Sequence, residues 1–326
     1  MTDKKTENNR DLKNRLYHGT FTPSGLMKLI FSQRASIKDM EINNRLLKEL
    51  ITGYAESQKK LSLLNRELKL RQDQLEKDLE AAAGIQKSLL PHKIPKIHDI
   101  DFAWEFLPSD KVGGDIFNVF TIDNANLGIF ILDVSGHGVP ASLVTVSVSQ
   151  VLDPRHSDLI RNQTFSPPYY KIVSPSEVLT ALDRQYPMER FDKYFSIVYA
   201  VINLKSMTLT YSSAGHPPPV MIQNKSDLSY LDKGGTLIGL GGIMPFEEEA
   251  IALSKGDKII FYTDGVTEAS DKNGGLFADS RFEEVLNQSK SEPVAAVLKT
   301  LLDAVIDFEE TRVPRDDVSL LGLEIK

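Results

Sequence analysis

The chain has 326 residues, 41% hydrophobic and 25% charged, with a formal net charge of -7. This is the composition of a soluble globular protein, and its acidity argues against a nucleic-acid partner, which needs a basic surface to neutralise phosphates. There is no cysteine, which excludes disulfides, zinc-thiolate sites and iron-sulfur clusters and leaves oxygen and imidazole to hold any metal.

Residues 1–41 are a polar N-terminal segment that reads as partly disordered, with a short apolar patch, GLMKLIF, at 25–31 that reads as a small helix. The first residues, MTDKKTENNRDLKNR, lack the apolar core of a signal peptide. No apolar run approaches a membrane span. A cytoplasmic location is the expectation.

Residues 42–90 read as a coiled-coil or linker helix. Leu47, Tyr54, Leu61, Leu68, Leu75, Ala82 and Leu89 recur every seven residues, with a mixed companion seam of Leu50, Ser57, Leu64, Arg71, Asp78 and Ile85. A helical homodimer stalk and a single helix lying on its own domain both fit this pattern. The polar second seam suits a weak or switchable pair. Pro91 ends the helix.

From 98 to 326 the pattern changes to short apolar runs separated by Gly, Asp and Pro. IDFAWEFLP, IFNVFTID, LGIFILDV, YFSIVYAVINL, LTYSSAG, PPVMIQ and DKIIFYTDG read as strands. VPASLVTVSVSQVL, SPSEVLTALDRQY, RFEEVLNQS and EPVAAVLKTLLDAVIDF read as helices. Neighbouring strands joined by tight turns predict an α+β fold, an α-β-β-α sandwich of two antiparallel sheets flanked by helices. The polar, proline-rich stretch 152–175 reads as a long loop or flap.

Acids recur where strands run out. Asp115 follows KVGG, Asp133 follows GIFIL, Asp264 follows IIFYT, and Asp316 and Asp317 precede the final strand. An acid buried at a strand end is costly unless something offsets its charge. One such acid is ordinarily a turn residue, and Asp264-Gly265 alone fits that description. Several converging acids would repel one another, and a divalent cation would relieve them. An oxygen-only cluster suits Mg or Mn, and two such ions can activate a water and hold a phosphoryl group. Gly113 and Gly114 would let the backbone approach the site, and Gly136 and Gly138 would allow a tight turn. The Val134 carbonyl offers a further hard oxygen. His137 stands on the same turn, either as proton donor to a leaving alkoxide or as a polar brace of the loop.

These pieces occur together and in order: AAGIQKSLLP, VGGDIF, ILDVSGHGVPASLV, YSSAGHPPPV, FYTDGVTEA and RDDVSLL. The chain from about 83 to 326 resembles the SpoIIE/RsbU-type branch of the metal-dependent protein phosphatase 2C (PPM) superfamily. The resemblance implies hydrolysis of phosphoserine or phosphothreonine on a protein, with two Mn2+ or Mg2+ ions at one edge of the sandwich. Carried over by position, Asp133 would bridge both ions and the Val134 carbonyl would bind the second. Asp264 and Asp316 would hold the first, and Asp115 would bind the second directly or through water. Asp317 falls where many relatives have Asn, so the choice between Asp316 and Asp317 as ligand stays open. The turn reads DVSGHG where eukaryotic-type members have DGHGG, and no N-terminal arginine for the substrate phosphate stands out. His216 in AGHPPP reads as part of a rigid loop.

The resemblance implies a phosphorylated STAS-like (anti-anti-sigma) protein as substrate. It also implies an upstream activator acting through the N-terminal helix. A catalytically silent coiled-coil scaffold that uses the domain for partner binding is the alternative, although a scaffold has no need of several costly carboxylates. A nucleotide cyclase would want a purine pocket, for which there is no motif.

Overall fold

A computed structural model describes residues 22–91, 97–155, 158–165, 169–223, 228–311 and 313–326. The chain forms two units, 1–75 and 76–326. The expected disorder of residues 1–20 lies outside the described residues. Helix α1 (Pro23–Lys87) is continuous, so the patch at 25–31 and the heptad segment belong to one helix that begins well before residue 42. In residues 22–75 its large apolar side chains, Leu47, Leu50, Leu61, Leu64 and Leu68 among them, face solvent. No described helix is long and apolar enough to cross a membrane.

The second unit alternates strands and helices. In chain order these are β1 (Ile100–Leu107), β2 (Asp115–Asp123), β3 (Asn126–Val134), α2 (Val139–Val151), β4 (Arg161–Gln163) and β5 (Tyr170–Ile172). They continue with α3 (Pro175–Gln185), α4 (Met188–Phe191), β6 (Phe195–Asn203), β7 (Thr208–Ala214), β8 (Val220–Ile222), β9 (Leu228–Tyr230) and β10 (Gly234–Gly235). The last are β11 (Glu249–Ala252), β12 (Lys258–Tyr262), α5 (Ala278–Ser289), α6 (Val294–Glu309) and β13 (Val318–Ile325). One sheet runs β1-β13-β12-β8-β9. The other runs β10-β7-β6-β3-β2, with β11 on β7. All pairings are antiparallel except the short β10–β7 contact.

Strand alternation sorts the side chains into layers. Phe117, Ile129, Ile131, Val198 and Ala200 of one sheet meet Ile259, Phe261, Leu321 and Leu323 of the other in a shared core. The intervening residues, such as Ile116, Phe130, Leu132 and Tyr199, face out and are covered by α2 and α3 through Val148, Leu179 and Leu182. On the far side Ile260, Tyr262 and Leu320 are covered by α5 and α6 through Phe282, Val297 and Leu301. This is the expected α-β-β-α sandwich.

The 152–175 stretch contains a small hairpin, β4–β5. The Tyr170 hydroxyl donates to Asp123 Oδ2 at 2.7 Å. Asp123 is the last residue of β2 and Asp115 the first, so at the usual strand rise the hairpin is anchored ~26 Å from Asp115. It is an ordered insertion at the opposite end of the sheet from the acids.

Candidate metal centre

The same alternation that builds the inter-sheet core places the acids. Asp115 precedes Phe117 and Val119 by the strand period of two, and Asp133 follows Ile129 and Ile131. Both therefore point between the sheets, where the apolar core runs out. They are direct partners across β2 and β3. From the facing sheet, Thr263 continues the Ile259–Phe261 face and Ser319 precedes Leu321. Their hydroxyls donate to Asp115 Oδ2 at 2.8 and 2.6 Å. A carboxylate that is only 2% exposed is thus tied across the sandwich by two hydroxyls.

Asp317 is also buried, at 3% exposed. Its Oδ1 accepts from the Ser109 N–H at 2.8 Å and the Ser109 hydroxyl at 2.9 Å. Its Oδ2 accepts from the Gly114 N–H at 2.7 Å. Both oxygens are committed to the 109–114 loop. Asp316, its neighbour, is exposed. Asp264 is half-buried in the turn after β12, and Gly265 beside it lies flat against the Asp317 backbone, where a Cβ would come within 2.0 Å of the Asp317 carbonyl oxygen.

The loop glycines fit the same picture. A Cβ on Gly113 would stand 2.1 Å from Asp317 Oδ2, and one on Gly114 would stand 2.7 Å from the Val134 carbonyl oxygen and 3.2 Å from Asp133 Oδ1. Only bare backbone can pass there. Gly138, the residue before α2, has φ 77° and ψ -160°, a region essentially reserved for glycine. It turns the chain away from the site so that α2 can start on Val139 and Pro140.

The acids act on one another. Burial first, and then the charges of Asp264, Asp316 and Asp317, push the Asp133 carboxyl up to about 7, against a hydrogen bond from Asp115 that lowers it. Burial and the Asp316 charge push Asp264 up to about 6. Asp115 is raised well above the usual carboxylate range by burial and by Asp133 and Asp317, against the Ser319 and Thr263 hydroxyls. Asp316, although its side chain reaches solvent, is raised by the partial desolvation of its carboxyl and by the Asp317 charge, against the Asp317 N–H that donates to its Oδ1 at 2.8 Å and the charge of His137. The carboxylates of Asp115, Asp133, Asp264, Asp316 and Asp317 thus feel one another's charge, and the Val134 carbonyl and Asp133 Oδ1 both border the path of the Gly114 backbone.

Among the described residues no three acids or histidines close on a single point as they stand. Asp115 and Asp317 have spent oxygens on protein donors, and the remaining acids repel each other. The donor set nevertheless fits a hard divalent cation: all oxygen, several carboxylates, and a repulsion that a cation would relieve.

Several contributors escaped sequence reasoning. Thr263 and Ser319 could have been found from the strand period. Ser109 carried no signal. Gln86 is buried in the last turn of α1. Its Nε2 donates to the Gly113 carbonyl at 2.8 Å, and its Oε1 accepts from the Gly113 N–H at 3.0 Å. His216 is buried, with Nδ1 2.7 Å from the Ser196 hydroxyl. Burial holds its pKa down to about 3, so it stays neutral. Ser196 pairs with Asp133 across β3 and β6, which makes the His216–Ser196 pair a brace behind the site.

Residues 123–326 match the family model of Stage II sporulation protein E (SpoIIE). The chain is 26% identical over 257 residues to phosphoserine phosphatase RsbU of Bacillus subtilis, covering 78% of this chain and 72% of RsbU. It is 24% identical to phosphoserine phosphatase RsbP of the same organism, covering 77% of this chain and 58% of RsbP. Among solved structures, the SiaA-PP2C domain of Pseudomonas aeruginosa shares the fold with a TM-score of 0.64 at 18% identity, covering 78% of this chain and 98% of that domain.

Proposed function

This chain belongs to the SpoIIE family, and from that premise we propose that it is a metal-dependent protein serine/threonine phosphatase. The observation that carries the reading is geometric: Asp115 and Asp133 stand opposite one another across β2 and β3, Thr263 and Ser319 of the facing sheet tie to Asp115, and Asp264 and Asp317 neighbour those two residues, so acids from both sheets gather at one lip of the sandwich. The relatives RsbU and RsbP are phosphoserine phosphatases, which supports phosphoserine or phosphothreonine as the group hydrolysed.

Asp115, Asp133, Asp264, Asp316 and the Val134 carbonyl would hold two Mn2+ or Mg2+ ions. Bound there, the ions supply Lewis-acid chemistry that polarises a phosphoryl group and makes water acidic. Asp317 positions the site: its bonds to Ser109 and Gly114 hold the loop that carries Asp115. His137, exposed on the turn that follows Asp133, would give a proton to the departing serine or threonine oxygen. The inter-sheet core behind Asp133 keeps bulk water to one side.

The substrate we propose is a phosphorylated STAS-like protein, by analogy with the RsbU-type branch. The unpartnered apolar stripe of α1 supports pairing with a second copy of the helix, and the mass of the protein in solution, one chain or two, tests this. An upstream activator acting on that helix would reach the site through Gln86, whose amide grips the Gly113 backbone.

The deciding experiment is phosphate release from a phosphoserine peptide with Mn2+, with Mg2+ and with EDTA, on wild type and Asp133→Asn. Turnover that needs metal and is lost in the variant is the expected result. Metal-independent turnover, or turnover that survives in Asp133→Asn, would sink the reading.

A further inference from the structure

We infer that Lys193 binds the phosphate of the substrate. The inference deepens the phosphatase reading and rests on it for the identity of the substrate. It supplies the cation for the phosphate that the sequence does not otherwise reveal.

The segment 191–195, FDKYF, is stitched to the turn that follows Asp133. Phe195 opens β6 opposite Val134. The Ser135 N–H donates to the Tyr194 carbonyl at 2.9 Å, and the Tyr194 N–H donates to the Ser135 hydroxyl at 3.2 Å. Asp192, with φ 51°, ends α4 in a left-handed turn and sends the chain back toward the site. These contacts hold the backbone of Lys193 beside the DVSGHG turn. Its ammonium then lies against Gly136: a Cβ added to that glycine, which has φ 80°, would come within 3.1 Å of Lys193 Nζ.

Among the described residues, Lys111 and Arg315, the other cations close to the site in the chain, are committed. Lys111 bonds Glu76 and Glu80 at 2.8 and 3.0 Å. Arg315 donates to the Ser270 hydroxyl at 2.7 Å. Among the described residues Lys193 Nζ has neither an ion pair nor a hydrogen bond. A half-buried lysine against the turn that follows Asp133 would ordinarily pair with an acid, and this one makes no such pair. Its unmet charge and three donors suit a phosphate dianion seated at the mouth of the acid cluster. Gly136, lacking a side chain, keeps the path between them open.

The test uses the full chain loaded with Mn2+, as wild type, Lys193→Met and Lys193→Arg. Methionine keeps the apolar stem and removes the charge. Three quantities are read: calorimetric affinity for Mn2+, calorimetric affinity for inorganic phosphate, and KM and kcat on a phosphoserine peptide. The expected result is phosphate affinity about tenfold or more weaker in Lys193→Met, as loss of a charge-assisted hydrogen bond implies. KM should rise with it, Mn2+ affinity should not change, and Lys193→Arg should recover most of the loss. Phosphate affinity and KM unchanged in Lys193→Met would overturn the assignment. So would tighter Mn2+ binding alone, which would make Lys193 a counter-charge to the acids. If wild type shows no turnover yet Lys193→Met still loses phosphate affinity, the phosphatase reading fails and the Lys193 site stands.

Discussion

Asp316 and Asp317 are neighbours in the chain and lead different lives. Asp317 is buried with both oxygens engaged by Ser109 and Gly114, while Asp316 is exposed to solvent. In the sequence RDDVSLL the two are equivalent, because the donors that distinguish them lie far away in the chain. The closest approach in this arrangement is Gly113 against Asp317. Gly113→Ala should force the Asp317 carboxylate off its donors, since a Cβ would stand 2.1 Å from Oδ2. Overpacking of this kind costs about 1–3 kcal/mol, and a urea melt should show a loss of that order together with weaker Mn2+ binding. Full stability and full Mn2+ affinity in the variant would mean that the contact is not what holds the loop.

At the scale of elements, the last turn of α1 meets the domain through one buried amide. Gln86 both donates to and accepts from Gly113, as a strand partner would. Nearby, the Lys111 bonds to Glu76 and Glu80 lie at the surface, where ion pairs contribute little. Gln86→Ala leaves two backbone groups without partners, each costing about 1–3 kcal/mol if they stay buried. We expect Gln86→Ala to lower phosphatase activity and Mn2+ affinity sharply, while Lys111→Ala changes either far less. Equal effects from the two variants would remove Gln86 as the coupling point. The heptad in 42–90 revealed a helix but not this contact, because Gln86 falls outside both apolar seams and reads as a solvent-facing position. The flanking strands were far more legible. The expected runs from IDFAWEFLP to DKIIFYTDG each contain a strand, because strands such as β3, β6 and β12 are buried on both faces and so appear as short continuous apolar runs bounded by turn residues. The short pieces β9, β10 and β11 were not seen, since two to four residues are too few for a period to register.

At the scale of the whole molecule, the acid cluster makes stability depend on pH in an unusual direction. With Asp133 held near 7 and Asp264 near 6, the folded protein keeps protons that an unfolded chain, with carboxylates at ~4, has released. Between those limits the folded state binds more protons than the unfolded one, so stability falls as pH rises. In EDTA the melting temperature should therefore decline from about pH 4 to about pH 7 and level off above, Asp133→Asn should flatten the decline, and Mn2+ should restore stability at the upper end. A decline as steep in Asp133→Asn as in wild type would show that the cluster is not its source.

By itself the sequence determined the layers of the sandwich, the heptad of α1 and the strand ends at which the acids stand. Each is a local property, set by side-chain periodicity or by a turn residue next to a strand. Only the tertiary structure decided that Asp115 is tied to Thr263 and Ser319, that Asp317 belongs to Ser109 and Gly114, that Gln86 reaches Gly113, and that Lys193 lies against Gly136. Those contacts join residues distant in the chain, and they exist only because two sheets packed on one apolar core bring their polar ends to the same lip.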